Sequence, residues 1–149
     1  MIEGVIITPL KQMFDERGKV MHMLRKDSEI FTEFGEIYFS CTNPGAVKAW
    51  HLHKKMTLNY GIDSGKIKLV LYDDRPMSST KGEIQEIFLT HDDYFTVIIP
   101  PLIWNGFKSV ENKTAIIANC SDIPHNSNEI IRKRYDDPSI PYNWKIKHK

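Results

Sequence analysis

Long apolar runs are absent from this chain. Nothing approaches the roughly 18 residues needed to span a bilayer, which excludes a helical membrane protein. No charged-then-apolar leader pattern opens the sequence, and a cytoplasmic protein is the expectation. Cysteine is scarce. Cys41 and Cys120 are the two in the chain, too few for a disulfide scaffold and at no zinc-binding spacing. Both are expected as reduced, partly buried thiols. An excess of charge of one sign is missing too: 20 Lys and Arg face 19 Asp and Glu, for a formal charge of +1. That gives no support to a nucleic-acid or membrane-surface role. The basic ending "WKIKHK" reads as a solvated tail. Helical periodicity is hard to find, and no internal repeat, linker or low-complexity segment interrupts the chain.

What the chain does have is short β-branched and aromatic runs between turns. Its 149 residues, 41% apolar and 26% charged, suit one globular domain spanning 1–149 with a real core. Runs such as "GEIYFSC", "AVKAWHLH", "KIKLVLYDD", "FTVIIPP" and "TAIIANC" alternate with the turn signals "TNPG", "DSG", "STKG" and "VENK". In "KIKLVLYD", Ile67, Leu69 and Leu71 share one face and Lys66, Lys68 and Val70 the other, as in a half-buried strand. Roughly ten such strands with tight turns predict an all-β sandwich or jelly roll. The stretch "DSEIFTEF" is expected to form a helical turn or two. From Asp122 onward the pattern is polar and irregular, and this C-terminal segment is expected to drape over the barrel, pinned by Tyr135, Ile140, Tyr142 and Trp144.

Two histidines stand one residue apart in "AWHLHKKMTLNY", Ala49 to Tyr60. On an extended strand residues i and i+2 face the same way, so His51 and His53 share a face with Val47 and Ala49. Two imidazoles pointing into a barrel are costly to leave without partners, which favours a site over chance.

Six segments carry a further signal: "FDERGKV", "GAVKAWHLH", "GKIKLVLYDDR", "IIPPLIWNGF", "IIANCSD" and "YDDPSIPYNW". In this order they resemble the dTDP-4-dehydrorhamnose 3,5-epimerase family, a metal-free branch of the cupins acting on nucleotide-activated 4-keto-6-deoxyhexoses. The resemblance runs through nearly the whole chain. It implies a cupin jelly roll (a double-stranded β-helix barrel), no cofactor and a nucleotide diphosphate-sugar as substrate; a homodimer is expected. Metal-binding cupins follow their HxH pair closely with a Glu and add a His from a later strand. Here no carboxylate follows before Asp63, and Asn105 stands where that last His is wanted. No bound metal is expected.

Residue by residue, the family's arginine that meets the diphosphate falls on Arg17, a planar fork suited to the task. Its strand arginine falls on Lys48, which keeps the charge without the bidentate geometry. Its catalytic base falls on His51, with His53 where Gln is usual, and Asp73 and Arg75 match a strand-end motif. Other positions depart from the pattern. The family's catalytic tyrosine aligns on Ala118, its active-site lysine falls near Leu58, and the aspartate that orients its histidine belongs to a segment after the last residue here. The nucleotide-sugar 3,4-ketoisomerases, also small cupins, are similar in the histidines: their "HAHK" is matched by "HLHK".

Both groups imply one chemistry. A base takes the proton beside a C4 ketone, and the enolate-like intermediate is reprotonated on the other face or elsewhere. His51 is the expected base and His53 its helper. The acid is sought among Tyr38, Tyr60 and Tyr72, with Tyr60 expected to be catalytic and Tyr38 and Tyr72 substrate contacts. Asn105 is expected to donate to a sugar hydroxyl or the developing oxyanion, and Arg75 to contact substrate. The expected activity is epimerisation of a nucleotide diphosphate 4-keto-6-deoxyhexose in surface polysaccharide or deoxysugar biosynthesis. The alternatives are a 3,4-ketoisomerase and a non-catalytic sugar-nucleotide binding cupin.

Overall fold

The computed structural model describes residues 1–147. Its strands are numbered in chain order. One five-stranded sheet runs β1 (Ile6–Pro9), β9 (Phe95–Ile99), β6 (Leu58–Ser64), β11 (Ala115–Ser121), β4 (Glu36–Thr42). The second runs β12 (Ile130–Arg132), β5 (Val47–His53), β10 (Trp104–Ser109), β7 (Ile67–Tyr72), β8 (Ile84–Leu89). A separate hairpin joins β2 (Gln12–Asp15) to β3 (Gly18–Met21). Every pairing is antiparallel, so the all-β jelly roll is as the sequence predicts. No helix among the described residues is long and apolar enough to cross a membrane.

Period-2 alternation builds the core between the sheets. Leu58, Tyr60 and Ile62 of β6 and Val97 and Ile99 of β9 meet Ile67, Leu69 and Leu71 of β7 in one buried cluster. Each buried aliphatic side chain there contributes roughly 1.5–3 kcal/mol. A second cluster lies on the outer side of the second sheet, where Trp50, Leu52, Val70 and Trp104 pack with Ile140 and Trp144 of the C-terminal segment. That segment corrects the reading of β7. The strand is buried on both faces, because the drape covers Val70 and Lys68. The Lys68 ammonium lies 5.4 Å from the centre of the Tyr142 ring, and Lys108 Nζ donates to the Trp144 carbonyl at 2.9 Å.

Three further expectations are revised. Tyr135 is exposed and pins the drape only through its carbonyl, which accepts from Trp50 Nε1 at 3.2 Å. "DSEIFTEF" forms turns and no helix: Ser28 N–H bonds the Arg25 carbonyl and Phe31 N–H the Ser28 carbonyl, without an i→i+4 ladder to propagate. Cys41 is exposed because β4 is an edge strand, whereas Cys120 is half-buried. Both thiols are free.

One irregularity positions the site. Along β5 and β10, His51 faces Asn105 but Lys48 faces Phe107, so three steps of β5 match two of β10. This is a β-bulge. Gly106 lies within it. A Cβ there would overlap the Ala49 Cβ and stand 3.1 Å from the Lys48 carbonyl oxygen, so the two strands approach only because the residue is glycine.

Candidate active site

Lys48 and His51 are three residues apart and would face opposite sides of a regular strand. The bulge re-aims the chain between them, and Lys48, His51 and His53 line one cavity of about 660 Å³. The opposite wall is β4, with Glu36, Tyr38 and Ser40; Tyr60 and Phe107 also line the cavity, their rings edge to face at 5.9 Å. The C-terminal segment supplies the rest. Strand β12 pairs with β5, Ile130 opposite His53 and Arg132 opposite His51, and adds Ile130 and Arg132 to the lining together with His125.

His53 is buried and its Nδ1 hydrogen-bonds Glu129 Oε1. The other carboxylate oxygen of Glu129 accepts the Lys55 and Met56 amides at 3.1 and 3.2 Å. Burial works to raise the Glu129 carboxyl, but His53 and the two amides outweigh it and leave the group below its ordinary value. An ionised carboxylate only accepts, so Nδ1 carries a hydrogen and Nε2 is the nitrogen at which the ring can take up or release a proton. His51 is in a different setting. Burial first, then the Arg132, His53 and Lys48 charges, push it down to about 4, so its ring is neutral near pH 7.

The two tyrosines differ as well. Tyr60 is buried, and its hydroxyl donates to Asn105 Oδ1 at 3.3 Å while Asn105 Nδ2 donates to the His51 carbonyl at 3.1 Å. Tyr38 is partly exposed on β4, and its oxygen accepts from Asn119 Nδ2 at 3.0 Å. Lys48 Nζ donates to Ser40 Oγ at 2.8 Å. Glu36 Oε1 is buried and has no hydrogen-bond partner among the described residues.

Of the residues singled out in the sequence, the cavity gathers His51, His53, Tyr60, Tyr38 and Lys48. Four others lie elsewhere. Arg17 sits at the β2–β3 turn, 91% exposed and paired with Asp15. Tyr72 packs on the outer cluster, carried there by the strand's alternation. Arg75 binds Asp73, the Glu3 carbonyl and Ser78, bracing a loop. Asn105 lies behind the cavity with both ends of its amide engaged by the protein.

Glu129, Arg132, His125 and Asn119 escaped the sequence reading. The first three sit in a polar, irregular stretch whose three-residue strand is too short to show periodicity. Asn119 adjoins the position compared with the family's tyrosine, Ala118. No group of three or more His, Cys, Asp or Glu side chains among the described residues is placed to hold a metal ion.

Two facing antiparallel sheets enclose a cavity lined by imidazoles and phenols, with the buried Glu129 carboxylate behind His53, and this architecture is that of a cupin. The chain belongs to the dTDP-4-dehydrorhamnose 3,5-epimerase family, which it matches over residues 1–149. It is 30% identical over 146 residues to the spore coat polysaccharide biosynthesis protein SpsL of Bacillus subtilis, covering 97% of each chain. Identity is also 30% over 147 residues to the probable low-salt glycan biosynthesis epimerase Agl13 of Haloferax volcanii, over 95% of this chain and 89% of that one. Among solved structures, the dTDP sugar isomerase of Desulfovibrio desulfuricans G20 superposes with a TM-score of 0.94 at 44% identity, over 96% of this chain and 92% of that one. By family, this is an isomerase acting on nucleotide sugars.

Proposed function

We propose that the protein epimerises a nucleotide diphosphate 4-keto-6-deoxyhexose by removing a proton beside the ketone, in the making of a surface polysaccharide or deoxysugar. The observation that carries this reading is the carboxylate-backed imidazole, His53 with Glu129, in the same cavity as His51 and two phenols. A base works best when its ring is held in one orientation and one tautomer, and Glu129 does this for His53 through Nδ1. The family resemblance assigns the base to His51; the position of the carboxylate favours His53. His51, held neutral, is then suited to donate a hydrogen bond to the oxygen of the developing enolate. Lys48 and Arg132 bring positive charge to the diphosphate, and Glu36 Oε1 is free to accept from a sugar hydroxyl.

Arg17 is exposed at the β2–β3 turn and absent from the cavity lining of its own chain, and we assign it to the diphosphate in the cavity of a second copy, in a homodimer. The hairpin carries the exposed Phe14 and Val20 and edge strand β4 the exposed Ile37 and Phe39, apolar surface that a second copy would cover. Light scattering showing a monomer at micromolar concentration would remove that part. The shared "HLHK" keeps the 3,4-ketoisomerase as the second reading. Incubation with several nucleotide 4-keto-6-deoxyhexoses, followed by NMR of the products, decides between them. Inversion at C3, alone or with C5, supports epimerisation; a carbonyl moved to C3 supports the ketoisomerase; binding without product leaves only a sugar-nucleotide binding protein.

A further inference from the structure

We propose that Tyr38, held by Asn119, is the acid that delivers a proton to the substrate from the side opposite the β5 histidines, and that Tyr60 is not. This rests on the epimerase reading above. The directions of two hydrogen-bond chains carry it. The Asn59 backbone N–H can only donate, and it donates to Asn119 Oδ1 at 2.9 Å. The other end of that amide is therefore the NH₂, and it lies 3.0 Å from the Tyr38 oxygen. The phenol oxygen accepts there, so its own hydrogen remains to be given.

At Tyr60 the order is reversed. The His51 carbonyl can only accept, and it takes Asn105 Nδ2–H at 3.1 Å. Asn105 Oδ1 consequently faces the Tyr60 hydroxyl at 3.3 Å, and Tyr60 must donate to it. Its hydrogen is spent inside the protein. Burial adds to the contrast, with Tyr60 5% and Tyr38 37% exposed.

The sheets supply the stereochemistry. Strand β4 belongs to one sheet and β5 to the other, and both line the cavity. A ring between them meets imidazole on one face and phenol on the other, as inversion at carbon requires. Base removal breaks the C–H bond, sends the proton to imidazole and leaves the electron pair in the enolate. The new C–H bond then takes the Tyr38 hydrogen. The resulting phenolate, steadied by the Asn119 NH₂, regains a proton from solvent, and the imidazolium returns one. Burial raises the Tyr38 phenol above its ordinary value, against the opposing pull of Asn119, so the proton is present at neutral pH. Asn119 faces Tyr38 across the β4–β11 ladder, next to Ala118. The acid has moved to the neighbouring strand.

The test follows deuterium by NMR in a nucleotide 4-keto-6-deoxyhexose turned over in deuterated water. Tyr38→Phe should still exchange the hydrogen beside the ketone while inverted product falls by about 10²–10⁴-fold, the usual worth of a positioned acid. Tyr60→Phe, which removes only a hydroxyl already committed to Asn105, should lose far less product than Tyr38→Phe. Asn119→Asp can still accept from Asn59 but would also accept from Tyr38, so product should fall with the tyrosine in place and the alkaline limb of the pH–rate profile should move up. A structural role would not move that limb. Full product formation by Tyr38→Phe, or loss of exchange together with product, overturns the proposal. No exchange by the wild-type protein on any such substrate would instead overturn the epimerase reading itself.

Discussion

Replacing Glu129 by Gln tests the division of labour between the two histidines. The glutamine oxygen can stay on the Lys55 and Met56 amides, held at 3.1 and 3.2 Å in the wild type. Its NH₂ is then turned toward His53 Nδ1 and can only donate. His53 must accept at Nδ1 and carry its hydrogen on Nε2, which leaves the neutral ring no lone pair for substrate. Two costs combine. A hydrogen bond to a charged group contributes roughly 1.5–3 kcal/mol, and about 1.36 kcal/mol is tenfold in rate, so the lost carboxylate alone is worth roughly 10- to 150-fold. The wrong tautomer extends the loss toward the full worth of a general base, about 10²–10⁴. Every buried group keeps a partner, so unfolding in urea should change by only about 1–2 kcal/mol as charge-assisted bonds become neutral ones, and nucleotide-sugar affinity should stay within a few fold. The assay is solvent deuterium exchange beside the ketone, with binding by calorimetry. Exchange at the wild-type rate in Glu129→Gln would refute the role given to His53.

Other expectations follow from the same geometry. Because burial and neighbouring cations depress His51 to about 4, its contribution to stability is complete above about 6.5 and is lost as pH falls toward 4. At about 1.36 kcal/mol per unit that is on the order of 3 kcal/mol, and His51→Asn should flatten the fall in urea midpoint between pH 7 and pH 4.5. Asp73 is fully buried, and although burial would raise it, Arg75, Ser78 and Thr80 hold its carboxyl well below the usual range. Asp73→Ala should cost roughly 3 kcal/mol, at the lower end for a broken buried pair, with nucleotide-sugar affinity unchanged where the protein is folded; weakened binding would return Arg75 to the site. Untagged protein should contain well below one equivalent of transition metal, and chelator should leave the rate unchanged.

The fold was legible where alternation was regular. Ile67, Leu69 and Leu71 point inward as their spacing says, and the turn residues separate the strands. What covers a sheet face was harder to read. Burial of Lys68 depends on where residues 140–144 settle, and nothing in "KIKLVLYD" records that. The site divided in the same way. His51 and His53 were visible because two imidazoles at i and i+2 are rare enough to be noticed. Lys48 belongs beside them only through a bulge that the close approach at Gly106 permits. Glu129 and Arg132 come from a chain segment far away in sequence, brought in by a three-residue strand. Asn105, singled out as a substrate contact, turns out to hold Tyr60 to the His51 carbonyl.

The most direct test of the central claim, that the β5 imidazoles take the proton, is deuterium uptake beside the ketone by wild-type protein and by the His51→Asn/His53→Asn double variant. The wild type should exchange and form epimer. The double variant should bind the nucleotide sugar within a few fold of wild type yet show no exchange. Exchange by the double variant at the wild-type rate would contradict the assignment and move the chemistry away from this strand.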